Sequence, residues 1–154
     1  MDWAPYDGSQ KNERKVPMKQ IKHFDHLNMT VDNLAESLDW YARVFGFELV
    51  ERGDREAGPW AIVRSGEAML CLYERPKRTF ESAYDADTHG VCHFAIRITD
   101  KDEWESVMQR EQIRLDYEDQ AIHHSHSTSW YVLDPTGYQI EVVYWNDDEI
   151  RFAA

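Results

Sequence analysis

The sequence predicts an α+β fold made of two copies of one unit, each a strand, a helix and three further strands. Three observations predict it. The segment HFDHLNMTVDNLAESLDWYARVFGFELV resembles GVCHFAIRITDKDEWESVMQREQIRLDY at an offset of 67 residues, which carries His26 onto His93 and Val31 onto Ile98. The closing segments AMLCLYER (68–75) and YQIEVVYW (138–145) match at an offset of 70. The order of elements is the same in both halves, and each first strand contains a histidine.

The elements follow from local chemistry. Residues 1–20 are polar, contain Pro5, Gly8 and Pro17, and show no periodicity, so they are expected to be an extension or arm. From Ile21 to Val31 the pattern alternates, with Leu27, Met29 and Val31 on one face and Phe24, His26 and Asn28 on the other. Asp32 or Asn33 can cap a helix reaching Phe45, because a short polar side chain accepts from an unpaired backbone N–H of the first turn. Leu34, Leu38, Tyr41 and Phe45 share a helical face, and Gly46 stops the helix. Strands are expected at about 47–52, 60–65 and 68–74, separated by the turn sequences GDREAGP and SGE. The first module then spans 21–75 and the second 91–145, with a linker or lid loop at 76–90 and a tail at 146–154. In the loop, Lys77, Arg78, Phe80 and Tyr84 suit either a lid or a plain connection. Trp60, Met69 and Tyr73 are placed to line an apolar pocket or to pack in the core.

Composition narrows the function classes. The chain has 154 residues, 42% apolar and 13% aromatic with six Trp, enough for a packed interior. Its formal charge of −12 repels nucleic acid and anionic membranes, so neither is an expected partner. No apolar run approaches the roughly 20 residues that span a bilayer, and the first residues lack a signal core. Cys71 and Cys92 form neither a disulfide framework nor a CxxC motif, which fits a reducing cytoplasm.

The repeat also places the reactive side chains. His26 and His93 are equivalent on the two first strands, and Cys71 and Glu141 are equivalent on the two last strands. A pseudo-twofold axis between modules brings such positions together. Two imidazoles and one carboxylate on one face of a divalent metal leave positions free for an oxygen-donor substrate. Glu141, inside the apolar YQIEVVYW, needs a partner to offset burial of its charge, and a metal supplies one. A histidine satisfied in the core is the alternative for any one of these residues; their joint placement favours the metal.

The segments FDHLNMTVDNLAESLDWYARVFGFELV, VCHFAIRI and WYVLDPTGYQIEVVYW resemble the vicinal oxygen chelate superfamily, which includes glyoxalase I, extradiol dioxygenases and fosfomycin-resistance enzymes. The resemblance covers about residues 21–145. It implies an open, cup-like barrel formed by the two sheets around one metal ion, and a homodimer by analogy. Glyoxalase I generally has a carboxylate or amide ligand where Cys71 stands. Fosfomycin-resistance thiol transferases resemble the chain at SGEAMLCLYERP but need cations for the phosphonate, and AIHHSHSTS contains none. In the extradiol signature a His precedes an apolar–Tyr pair, then Asp-Pro, Gly and the ligand Glu. Ile122-His123-His124, Trp130-Tyr131, Asp134-Pro135, Gly137 and Glu141 follow that order, with Trp130 in place of the usual aliphatic residue or Phe. The resemblance therefore implies Fe(II) held by His26, His93 and Glu141, with Mn, Ni, Zn or Mg as other possible metals. His124 is the acid or base, His126 an alternative to it, and Tyr131 a hydrogen-bond donor to substrate. The expected substrate is a small aromatic diol. A glyoxalase-like or fosfomycin-resistance-like lyase, isomerase or transferase is the alternative, and a metal-free drug-binding protein a further one.

Overall fold

The computed structural model of the chain describes residues 22–75 and 90–152. The expected N-terminal arm and most of the loop at 76–90, with Lys77, Arg78, Phe80, Tyr84 and His89, lie outside those residues.

Each half forms one four-stranded sheet. In the first, β1 (Leu27–Val31), β2 (Glu48–Arg55), β3 (Gly58–Ser65) and β4 (Ala68–Glu74) take the order β1-β4-β3-β2. The second repeats it as β5-β8-β7-β6, with β5 (Phe94–Ile98), β6 (Ile122–His123), β7 (Ser127–Leu133) and β8 (Gln139–Trp145). In both, the first strand runs parallel to the last while the hairpin strands are antiparallel. A parallel pair needs a crossover, and the helices α1 (Leu34–Phe45) and α2 (Lys101–Glu111) begin it.

The caps repeat with the modules. Asn33 accepts the N–H of Glu36 at 3.0 Å, and Asp100 accepts the N–H of Glu103 at 2.9 Å. Each satisfies one orphan donor of the first turn. Gly46 ends α1 in the left-handed region at φ 65°. The long alternating stretch before Val31 joins the sheet later than the pattern predicts. The ladder begins at Leu27, opposite Leu70, so His26 precedes the paired strand. His93 likewise stands one residue ahead of β5.

Alternation decides which face is buried. Met29, Val31, Ala61, Val63, Leu70 and Leu72 in the first sheet share a core with Trp130, Val132, Ile140 and Val142 in the second. Fully burying such side chains stabilises the fold by about 1.5–3 kcal/mol each. The two helices meet in this core, where Phe45 and Trp104 stack with centroids 5.5 Å apart and planes 6° from parallel. Trp130 is 3% exposed, so the large residue ahead of Tyr131 is a core filler.

One buried contact ties the modules together. The Tyr41 hydroxyl on α1 donates to Asp134 Oδ2 at 2.9 Å. Asp134 Oδ1 accepts the backbone N–H groups of Thr136, Gly137 and Tyr138 at 3.0, 2.8 and 2.8 Å. The aspartate of the DPTG turn thus closes its own loop and anchors the other module's helix. No helix among the described residues is long and apolar enough to cross a membrane.

Candidate functional site

The opposite faces of the two sheets carry the polar chemistry. On β8, Glu141 pairs with Ala95, two residues beyond His93, and with Tyr131 on β7. Two residues along a strand return to the same face, so His93, Glu141 and Tyr131 gather on one side. His93 Nε2 lies 3.2 Å from Glu141 Oε2, with side chains 36% and 19% exposed. Ser129 Oγ donates to Glu141 Oε1 at 2.6 Å, holding the carboxylate in one orientation. The Tyr131 ring meets His93 edge-on at 5.5 Å and Tyr117 at 4.8 Å. Burial raises the Tyr131 hydroxyl above its ordinary value, and the Glu141 carboxylate, Tyr117 and a hydrogen bond to Glu141 add to the effect. Tyr131 therefore stays protonated as a donor at neutral pH.

His26 occupies the equivalent place in the first module without joining this group. Its Nδ1 lies 2.8 Å from Asp25 Oδ2, which leaves Nε2 free; its side chain is 42% exposed. Among the described residues, no three His, Cys, Asp or Glu side chains are grouped closely enough to hold a metal ion. The chain brings His93 and Glu141 together and leaves His26 apart. Cys71, opposite Asn28, is buried. Burial first, and the Asp25 charge second, push its thiol upward.

The histidine-rich loop is less organised. His123 Nδ1 lies 3.2 Å from Thr128 Oγ1. His124 is exposed and bonds through its backbone N–H to the Ser127 carbonyl at 2.9 Å. The side chains of His124 and His126 have no hydrogen-bonding or ionic partner among the described residues. Two contributors escaped the sequence reading: Ser129, which shares a strand face with Tyr131, and Asp25, immediately before His26. Period-two spacing from Tyr131 is the signal that would have found the first.

The donor set fits a divalent ion. An imidazole nitrogen and a carboxylate oxygen converge from two strands, within reach of solvent, and the carboxylate's second oxygen is already satisfied.

Comparison with known proteins agrees with this architecture. The family model described as the Glyoxalase/Bleomycin resistance protein/Dioxygenase superfamily matches residues 23–142. A catechol-2,3-dioxygenase of Bacillus subtilis is 28% identical over 124 residues, 78% of this chain. The chain spans 40% of that enzyme's length. A lactoylglutathione lyase of Neisseria meningitidis is 28% identical over 121 residues, 77% of this chain and 87% of the lyase. A glyoxylase/bleomycin resistance protein/dioxygenase domain from Frankia sp. EAN1pec has a TM-score of 0.70 at 15% identity, covering 84% of this chain and 96% of that one. The fosfomycin resistance protein FosX of Listeria monocytogenes, solved with Mn(II) and sulfate, has a TM-score of 0.61 at 15% identity over 81% of this chain and 93% of its own. At such identities these two structures share the fold.

Proposed function

The chain belongs to the glyoxalase/bleomycin resistance protein/dioxygenase superfamily, and from that premise we propose that it is a metal-dependent oxygenase of extradiol type acting on a small aromatic diol. The observation that carries this reading is the meeting of His93 and Glu141, 3.2 Å apart, beside the Tyr131 hydroxyl. The third ligand is His26, supplied by a second copy of the chain. Phe24 and Val91, equivalent at the 67-residue offset and two residues ahead of His26 and His93, are 96% and 74% exposed. Apolar side chains open beside both histidines are what a twofold partner would cover.

Fe(II), which His93, Glu141 and His26 of the second copy would hold, would supply Lewis acidity toward the diol and toward dioxygen. The remaining work belongs to the chain. Asp25 holds His26 with Nε2 free as a ligand, and Ser129 fixes Glu141. Tyr131 donates a hydrogen bond to a substrate oxygen. His124, whose side chain has no partner among the described residues, is the acid or base that exchanges the diol's proton. Replacing Ser129 by Ala removes the orienting bond to Glu141, and metal affinity should fall roughly 10–100-fold, read by competition with a chelator.

Oxygen uptake tests the reaction. Protein purified anaerobically and loaded with Fe(II) should consume dioxygen when given catechols, with a ring-cleavage chromophore appearing in step. No uptake from fully loaded protein removes the oxygenase. A lyase or transferase on the same centre is the second reading, favoured by the Neisseria relative, which the chain spans almost whole. Turnover of a thiol adduct of a ketoaldehyde under nitrogen would establish it.

A further inference from the structure

On the open face of the first sheet, Arg55 rests on two aromatic rings. The Arg55 guanidinium lies 5.2 Å from the Trp60 ring and 4.9 Å from the Tyr73 ring. Trp60 and Tyr73 face each other across β3 and β4, and Trp60 also pairs with Gly53 on β2. The glycine permits this. A Cβ at Gly53 would come within 2.9 Å of the Trp60 indole nitrogen, so the ring lies flat over the β2 backbone. No hydrogen bond or ion pair engages Arg55 among the described residues. Arg75 differs: its Nη1 is spent on the carbonyls of Ala57 and Glu74.

Stacking uses the faces of a guanidinium and leaves its rim of N–H donors free. Arg52, Arg64, Arg75 and Arg114 likewise have no carboxylate partner among the described residues; Arg55 differs from them in lying over two aromatic rings. Its sheet face is the one that carries His26. Tyr73 pairs with Thr30, four residues beyond His26, a distance of roughly 13 Å at about 3.3 Å per residue.

We propose that Arg55, Trp60 and Tyr73 form an anchoring subsite for the substrate, which carries a carboxylate on a short arm attached to its aromatic ring. Arg55 pairs with the carboxylate through two N–H donors, and Trp60 and Tyr73 give the arm an apolar wall. An aromatic ring with a short acid chain bridges the interval between this subsite and a diol held near His26. The substrate class rests on the oxygenase reading. The subsite itself does not need the metal.

The test uses the full chain stripped of metal, with two probes of similar shape, phenylacetate and 2-phenylethanol. Binding is followed by tryptophan fluorescence. Wild type should bind the anion at least tenfold more tightly than the alcohol. Arg55→Met retains the stacking bulk and should erase that preference, with the alcohol's affinity unchanged. Arg55→Lys should retain only part of it, because a point charge replaces the fork. Equal binding of both probes by wild type, or a preference that survives Arg55→Met, overturns the subsite. The outcomes separate the two readings. A preference lost in Arg55→Met alongside no oxygen uptake keeps the subsite and removes the oxygenase. Uptake with catechols whose relative KM values ignore both the acid arm and Arg55 does the reverse.

Discussion

His93→Ala should leave the protein folded and unable to retain a metal. His93 sits ahead of the β5 ladder on a partly exposed face, so the core loses nothing when the ring is removed. The proposed centre would lose one of its three ligands, and Glu141 would keep only its bonds from Ser129 and Tyr131. Disturbing a residue that merely orients a ligand costs 10–100-fold in affinity, so removing a ligand should cost at least about a hundredfold. Metal content after anaerobic reconstitution and desalting should fall from about one ion per chain to near zero. The thermal midpoint of the apoprotein should barely move. Equally little metal in wild type and variant would remove every metal-dependent reading of the chain, and equally full occupancy would remove His93 as a ligand.

The largest effect on stability should come from Asp134. Its two oxygens accept one hydroxyl and three backbone N–H groups, all in a residue 5% exposed. Asp134→Ala strands the buried Tyr41 hydroxyl and opens the turn, and should cost about 3 kcal/mol or more. Asp134→Asn keeps the oxygen that accepts the three N–H groups and can donate to the Tyr41 oxygen, so it should cost much less. Tyr41→Phe, losing one bond, should cost about 1–2 kcal/mol. Urea denaturation ranks the three variants, and an Ala variant as stable as the Asn variant would refute this account of the turn. The pH dependence has a definite sign. Burial raises the Asp134 carboxyl above its ordinary value, outweighing the bonds from Tyr138, Tyr41, Gly137 and Thr136 that lower it. Between the unfolded and folded values the native state holds more of this proton, so the group's contribution to stability falls as pH rises through that window. Asp134→Asn should remove that component of the slope.

The doubled βαβββ order was legible because each of its parts has a short-range signature. Period two marks the strands, Asp32 or Asn33 offers a cap for the first helix, and Gly46 ends it; the structure chooses Asn33 and adds Asp100 at the matching place in the second module. The start of β1 was less legible. Ile21–His26 alternates as a strand does, yet pairing depends on where β4 presents a partner, and β4 offers Leu70 to Leu27. The adjacency of His93 and Glu141 follows from the parallel pairing of β5 with β8, which the topology implies. The position of His26 is another matter. Nothing in periodicity says whether two equivalent strands face each other within a chain or across two, because the burial pattern of each strand is the same in either case. Trp130 and Cys71 show a similar limit: a large or small apolar residue on a strand reads alike whether it fills the core or borders a site.

The central claim is that His26 from one copy completes the centre built by His93 and Glu141 of another, and subunit complementation tests it most directly. His26→Ala and Glu141→Ala proteins should each be devoid of metal. After the two are mixed, unfolded and refolded together, random pairing makes half the dimers mixed, and each mixed dimer has one intact centre of two. Metal uptake should then recover to about a quarter of the wild-type value. If the mixture stays as empty as its parents while remaining dimeric and folded, the three ligands do not meet between chains and the account is wrong.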